Sequence, residues 1–189
     1  MAAVVLVEGE SDRAALLTLA ERRGVAVEVA VLGGATNVRR FLARYAQVPV
    51  TGLCDAGEES FFRRAWAGRD GEFFVCDADL EDELVRALGP AAVEEVIAAE
   101  GDLRSYRKLQ AMPFHRDRPV PAQLHRFLGT TSGRKIRYAR LLVGALDLRR
   151  VPRPLEAVLA AAQQLPPPPP SPQLPPPMSP TPPIPRPPA

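Results

Sequence analysis

The chain has 189 residues, 46% of them apolar and 24% charged, with a net charge of +2. That is long enough for one domain with a real core, and the start lacks both a basic leader and an apolar run of membrane-spanning length, so a soluble, cytoplasmic protein is expected. The small net charge hides a segregation, since residues 1–101 carry 18 acids and 10 bases whereas residues 102–165 carry 4 acids and 13 bases. An acidic half suits cations and a basic half suits a polyanion such as nucleic acid, although solvated helix faces segregate charge in the same way.

The first informative stretch is VVLVEGESDRAALL, Val4 to Leu17. An apolar run from Ala3 to Val7 breaks into Glu8-Gly9-Glu10-Ser11-Asp12 and resumes as an Ala/Leu-rich segment, the pattern of a buried strand turning tightly into a helix. Further apolar or β-branched runs occupy Val27 to Leu32, Val50 to Cys54 and Glu72 to Cys76. Between them lie helical patterns at Ser11 to Arg23, Asn37 to Tyr45 and Glu58 to Trp66. Such alternation predicts an α/β domain of Rossmann-like type, a four-stranded parallel sheet with flanking helices, and the expected strand order is 2-1-3-4. That order brings the ends of the first and third strands to one crevice. Gly33-Gly34 marks a turn, and Asn37 is expected to cap the helix that follows.

Beyond Leu80 the pattern is helical, over Leu80 to Leu88, Ala91 to Ala99, Leu103 to Ala111, Ala122 to Leu128, Gly133 to Leu146 and Leu155 to Gln164. The expected organisation is one domain over residues 1–165, a sheet core to about residue 90 and a helical basic extension from about 91. Pro113, Pro119 and Pro121 bracket a loop. From Pro166 to Ala189 proline dominates, which predicts a disordered or polyproline II tail.

Carboxylates recur where strands end. Glu8 follows the first, Asp55 the third, and Asp77, Asp79 and Glu81 the fourth, with Asp12 one turn into the first helix. Acids in a first helical turn complement the helix dipole. Acids at three strand ends of one sheet are a different matter, because close anions repel unless a cation joins them. Oxygen donors without a participating His or Cys point to Mg2+ or Mn2+ rather than zinc. Cys54 and Cys76 have no metal-binding spacing and read as buried, reduced thiols, an inter-strand disulfide staying open. His115 and His125, with no acidic partner near them in sequence, read as surface residues or phosphate contacts. Arg134, Lys135, Arg137 and Arg140 form a basic run, either a nucleic-acid contact or a solvated face. GTTSGRK, from Gly129, lacks the glycine spacing of a phosphate-binding ATP loop and excludes ATP binding there.

VLVEGESD, then LCDAG, CDADLEDEL and SGRK, together resemble the Toprim domain of the OLD (overcoming lysogenisation defect) family nucleases, over about Val4 to Leu165. The resemblance implies a metal-dependent endonuclease cutting DNA with two Mg2+ or Mn2+ ions. Matched residue by residue, it assigns Glu8, Asp12, Asp55, Asp79 and Glu81 to the metals and Glu8, Asp55 and Lys135 to catalysis. Gly57 stands where Toprim proteins carry a second aspartate. Full-length OLD proteins add an ATPase; since Glu8 lies close to Met1, the expectation is that the domain works alone, that a separate chain supplies the ATPase, or that the activity has decayed. DNA is the expected partner, no membrane is expected, and a homodimer is an allowed assembly. A non-cleaving nucleic-acid-binding or regulatory module, and primase-like nucleotidyl transfer, stay open as alternatives.

Overall fold

The computed structural model describes residues 3–130 and 132–164, so the proline-rich segment lies outside the described residues. Four parallel strands, β1 (Val4–Val7), β2 (Glu28–Val31), β3 (Val50–Cys54) and β4 (Phe73–Val75), form one sheet in the order β2-β1-β3-β4. The register pairs Val4 with Glu28 on one side and with Val50 on the other. Every side chain of β1 and β3 is buried. A strand covered on both faces reads as an unbroken apolar run, and that is why β1 and β3 were legible without alternation.

Alternation instead divides the core in two. Val5, Val7 and Leu53 face one apolar cluster, while Val4, Leu6, Val50 and Cys54 face another. The second cluster is closed by α2 (Val38–Arg44) and α3 (Glu59–Trp66), through Val38, Leu42, Phe62 and Trp66. The first is closed by α1 (Glu10–Arg23), α4 (Leu80–Leu88), α5 (Pro90–Ala99), α6 (Leu103–Ala111), α7 (Val120–Leu128), α8 (Ser132–Ala145) and α9 (Arg153–Gln164). The helices after β4 therefore share a core with β1. α9 lies across β3 and β4, and α8 packs chiefly on α1.

Two arginines clamp that last pair. The guanidinium of Arg22, from α1, donates to the carbonyls of Val143 and Leu146, the latter at 2.8 Å. Its neighbour Arg23 donates to Leu148 O and to Glu156, both at 2.7 Å. Cations on the last carbonyls of α8 satisfy orphan acceptors and complement the helix dipole. The clamp holds the C-terminal end of α8, the helix that carries Lys135 in its first turn.

One expectation needs correcting. Asn37 does not cap α2; its amide donates back to Leu32 O at 3.0 Å and bridges the turn it follows. Gly33 and Gly34, at φ of 68° and 116°, make that turn, in conformations other residues rarely adopt. Cys54 and Cys76 are both free and buried, as their spacing led one to expect, and the open alternative of an inter-strand disulfide is not realised. The strand-end alternation sends Cys54 into one apolar cluster and Cys76 into the other.

Candidate functional site at the sheet edge

Parallel strands deliver their carboxyl ends to one edge, and here the edge is held by backbone bonds between neighbouring strand ends. Gly33 N donates to Glu8 O at 3.1 Å, and Ala56 N donates to Ala78 O at 3.0 Å. Glu8 is fixed from a second side, since the Asp55 amide donates to its Oε1 at 3.3 Å. Burial removes water from these carboxylates faster than hydrogen bonds replace it. Glu8 is pushed from 4.5 up to about 7, first by desolvation and then by Glu58 and Asp12, against the Asp55 amide. Asp55 is pushed from 3.8 up to about 7 by desolvation and by Asp12, Glu8 and Asp79.

Asp12 lies one turn into α1, where its Oδ2 accepts from Gly9 N at 2.9 Å, closing the first turn. Burial nevertheless raises its pKa, against the Gly9 amide and Lys135. The capping role and the electrostatic role fall on the same side chain, so the two readings of this acid are not exclusive.

Asp79 caps α4, its Oδ1 accepting from Asp82 N at 2.9 Å, and its Oδ2 lies 2.6 Å from Nε2 of His125. Desolvation pushes Asp79 up, but the His125 and Asp82 hydrogen bonds outweigh it and the net direction is down. The same contact raises His125. Glu81, 5% exposed, is raised by desolvation and relieved by Lys135, whose Nζ lies 3.1 Å from its Oε2. Its Oε1 has no hydrogen-bond partner. Lys135 loses water as well, yet Glu81, Asp12 and Asp55 hold its pKa above the usual lysine value.

The five expected acids and Lys135 are thus electrostatic neighbours at one edge. They are not a ready-made cage: among the described residues no three of His, Cys, Asp and Glu are grouped closely enough to hold a metal ion. Like charges hold the carboxylates apart, and Lys135 occupies the place of a counter-ion beside Glu81. The donor chemistry still fits a hard divalent cation. Four acids here are raised, a buried carboxylate oxygen is unpaired, and one lysine is too little positive charge to balance them.

Solved structures share this architecture. The C-terminal region of the Burkholderia pseudomallei OLD protein matches with a TM-score of 0.62 at 18% identity, over 86% of this chain and 98% of that one. The C-terminal region of the Xanthomonas campestris pv. campestris OLD protein gives 0.57 at 18% identity, over 85% and 93%. The chain has the OLD C-terminal fold. The resemblance read from VLVEGESD, LCDAG, CDADLEDEL and SGRK is thereby met at the level of fold. No protein-family model and no curated protein matches by sequence.

Within the OLD C-terminal fold, several side chains depart from the sequence reading. His125 does have an acidic partner, Asp79, brought in by the packing of α7 on α4. His115 is not a surface residue; it is 8% exposed. Of the basic run, Arg137 is engaged by Asp102 and Glu100, and Arg134 lies over the Phe127 ring at 4.3 Å, while Arg140 is exposed. Asp77 turns away to Arg86 at 2.8 Å. Glu58 is an acid the reading overlooked. It acts on Glu8 from the turn directly after Gly57, and its position next to the missing aspartate was the available signal.

Proposed function

We propose that this protein is a divalent-metal-dependent phosphodiesterase that cuts DNA. One observation carries the reading: the half-buried Glu8, Asp12 and Asp55 and the buried Glu81 are electrostatic neighbours at the sheet edge, with raised pKa values and too little positive charge around them. Glu8 and Asp12 would hold one Mg2+ or Mn2+ ion and Asp79 and Glu81 a second, with Asp55 between them. A bound cation supplies positive charge against the phosphate oxygens and lowers the pKa of a water molecule.

The rest falls to the chain itself. Glu8 and Asp55 hold protons near neutrality and release them as positive charge arrives. Asp79 is oriented by His125 and the Asp82 amide, so its remaining lone pairs point in fixed directions. Lys135 lies in the first turn of α8, where an ammonium and a helix N-terminus would both favour charge developing on a phosphate. Arg140 and the basic helical half attract the polyanion. An ATPase on a separate chain and a second copy of this chain are partners the reading accommodates.

The test is incubation with nicked, linear and supercoiled DNA in Mg2+ or Mn2+. Cleavage that disappears in Glu8→Ala and Asp55→Ala supports the reading; no cleavage with either metal, or cleavage indifferent to both substitutions, rejects it. The ion pair of Lys135 with Glu81, at 3.1 Å, favours a second reading, a module that binds nucleic acid without cutting. Salt-dependent DNA binding without turnover selects it.

A further inference from the structure

Among the described residues, the large exposed apolar side chains, Met112 at 51%, Phe114 at 70% and Val120 at 39%, fall together between α6 and the first residue of α7. Phe114 is the most exposed of them. An apolar ring left in water needs a reason, and chain slack is not the reason here. Beneath the loop lies Gln123, 4% exposed, whose Nε2 donates to His115 O at 2.9 Å and to Arg118 O at 3.0 Å. Gln110 Nε2 in turn donates to Gln123 Oε1 at 2.7 Å. Backbone bonds from His115 N to Met112 O and from Arg118 N to His115 O, at 2.9 and 3.0 Å, complete the turn. The buried His115 ring meets Phe114 edge-on at 5.1 Å. A buried amide therefore ties the loop from below, with Phe114 turned outward.

What the ring presents is chemically specific. The Arg118 guanidinium lies 4.3 Å from its centroid, and the ring as a whole stays open to a further flat group. Leu103 to Leu128 carries six bases and one acid. Arg104, Lys108 and Arg126 in this stretch are exposed. An aromatic face beside arginine within a basic surround is the chemistry that stacks an unpaired base and neutralises its phosphates. A protein partner would need an apolar surface ringed by acids, a more restrictive match. The place also fits. Phe114 precedes α7, and His125, five residues after Val120 and so about 7.5 Å along the helix, contacts Asp79 at the sheet edge.

We infer that the loop from Met112 to Pro119 is a contact for single-stranded nucleic acid, in which Phe114 stacks on an unpaired base and Arg116 and Arg118 neutralise the adjoining phosphates. This rests on the reading of the sheet edge as a site that acts on DNA, and it adds a place where the strand is held open beyond that site. A preference follows for ends, nicks and gaps over continuous duplex.

The test is fluorescence anisotropy of a labelled single-stranded DNA oligonucleotide, and of the same sequence as blunt duplex, with the full chain in EDTA. Phe114→Ala is expected to weaken single-strand binding by about 5- to 100-fold while duplex binding changes little. Phe114→Trp should retain affinity and Phe114→Leu should not restore it. Arg118→Gln should lower the salt dependence of single-strand binding by about 0.7 in log–log slope. Melting temperatures should stay unchanged, because the substituted side chains are exposed. Single-strand affinity unaltered in Phe114→Ala, full affinity in Phe114→Leu, or no single-strand binding by the wild type overturns the inference. So does a Phe114→Ala variant that alters sedimentation but not DNA affinity, which assigns the patch to protein docking. Binding in EDTA does not depend on turnover. Loss of the Phe114 effect with cleavage intact rejects this inference alone, and absent cleavage with the Phe114 effect intact rejects only the phosphodiesterase reading.

Discussion

Replacing Glu8 by glutamine should stabilise the metal-free protein above neutrality, an unusual result for a residue assigned to a reaction. The Glu8 carboxyl stands at about 7 in the folded chain against 4.5 ordinarily, with desolvation as the largest cause. A folded state that holds its proton more tightly than the unfolded chain is favoured at low pH. The stabilisation is complete below the unfolded value and is lost as pH rises through about 7. Undiscounted, the displacement corresponds to about 3 kcal/mol. The side chain is only half-buried, and solvent screening reduces this to about 1–2 kcal/mol. Glutamine has the shape of the protonated acid and keeps an oxygen for the Asp55 amide, so it avoids the loss.

The assay is thermal denaturation in EDTA from pH 5 to 8.5. Wild type and Glu8→Gln should melt close together at pH 5 and diverge with rising pH, the variant ending about 2–8 °C higher. Mg2+ or Mn2+ at pH 8 should then raise the wild type, by about 2.7 kcal/mol at a hundredfold excess over Kd, and raise the variant less. At pH 5, where protons compete, the metal effect should shrink. A variant that melts below wild type at pH 8, or a gap independent of pH, would refute the desolvation argument. Equal metal stabilisation of both proteins would separate Glu8 from any cation site.

Two further substitutions examine the same edge and its support. Gly57→Asp supplies the carboxylate absent from the LCDAG stretch; a Cβ there meets nothing within 4 Å, so the melting temperature should hold within about 1 °C while the Mg2+ concentration needed for half-maximal cleavage falls. Unchanged metal dependence would mean that Glu58 or another group already fills that role. Gly52→Ala should destabilise by about 1–3 kcal/mol, since its Cβ would lie 2.9 Å from Trp66 Cη2 and 3.1 Å from Phe62 Cε1, in rings stacked at 5.7 Å and both buried. Denaturant unfolding checks it, and a loss below about 0.5 kcal/mol would show that the rings yield.

The strands were legible because each is a short apolar run between turn residues, and the order 2-1-3-4 followed from the alternation with helices. Leu80–Leu88 and Leu103–Ala111 match the sequence reading at both ends; Asp stands at each capping position, and Gly89 after the one and Pro113 beyond the other stop the helical pattern. Side-chain partners were another matter. Glu8, Asp55 and Asp79 could be placed at one edge from topology, but the contact of His125 with Asp79 spans 46 residues and depends on how α7 leans against α4. The ties of Arg22 and Arg23 to the end of α8 span 121 residues or more. No local pattern encodes such a pairing, since the partner of each arginine is a backbone carbonyl that every residue possesses.

Those long-range ties bear on how the edge would work. Lys135 is carried on a helix clamped at its far end by Arg22, and its ammonium neutralises Glu81. A phosphate drawn to Lys135 therefore competes with Glu81 for one positive charge, and Glu81, 5% exposed with one oxygen already unpartnered, cannot turn to water for relief. Under the phosphodiesterase reading, a metal ion at Glu81 would meet both demands. On that reading substrate and metal binding would be coupled through Lys135, each strengthening the other, because the metal would free the lysine for phosphate and the phosphate would leave Glu81 to the metal. Such coupling would give the ion pair, which favours a non-cutting module when considered alone, a place in a site that assembles only when both ligands arrive.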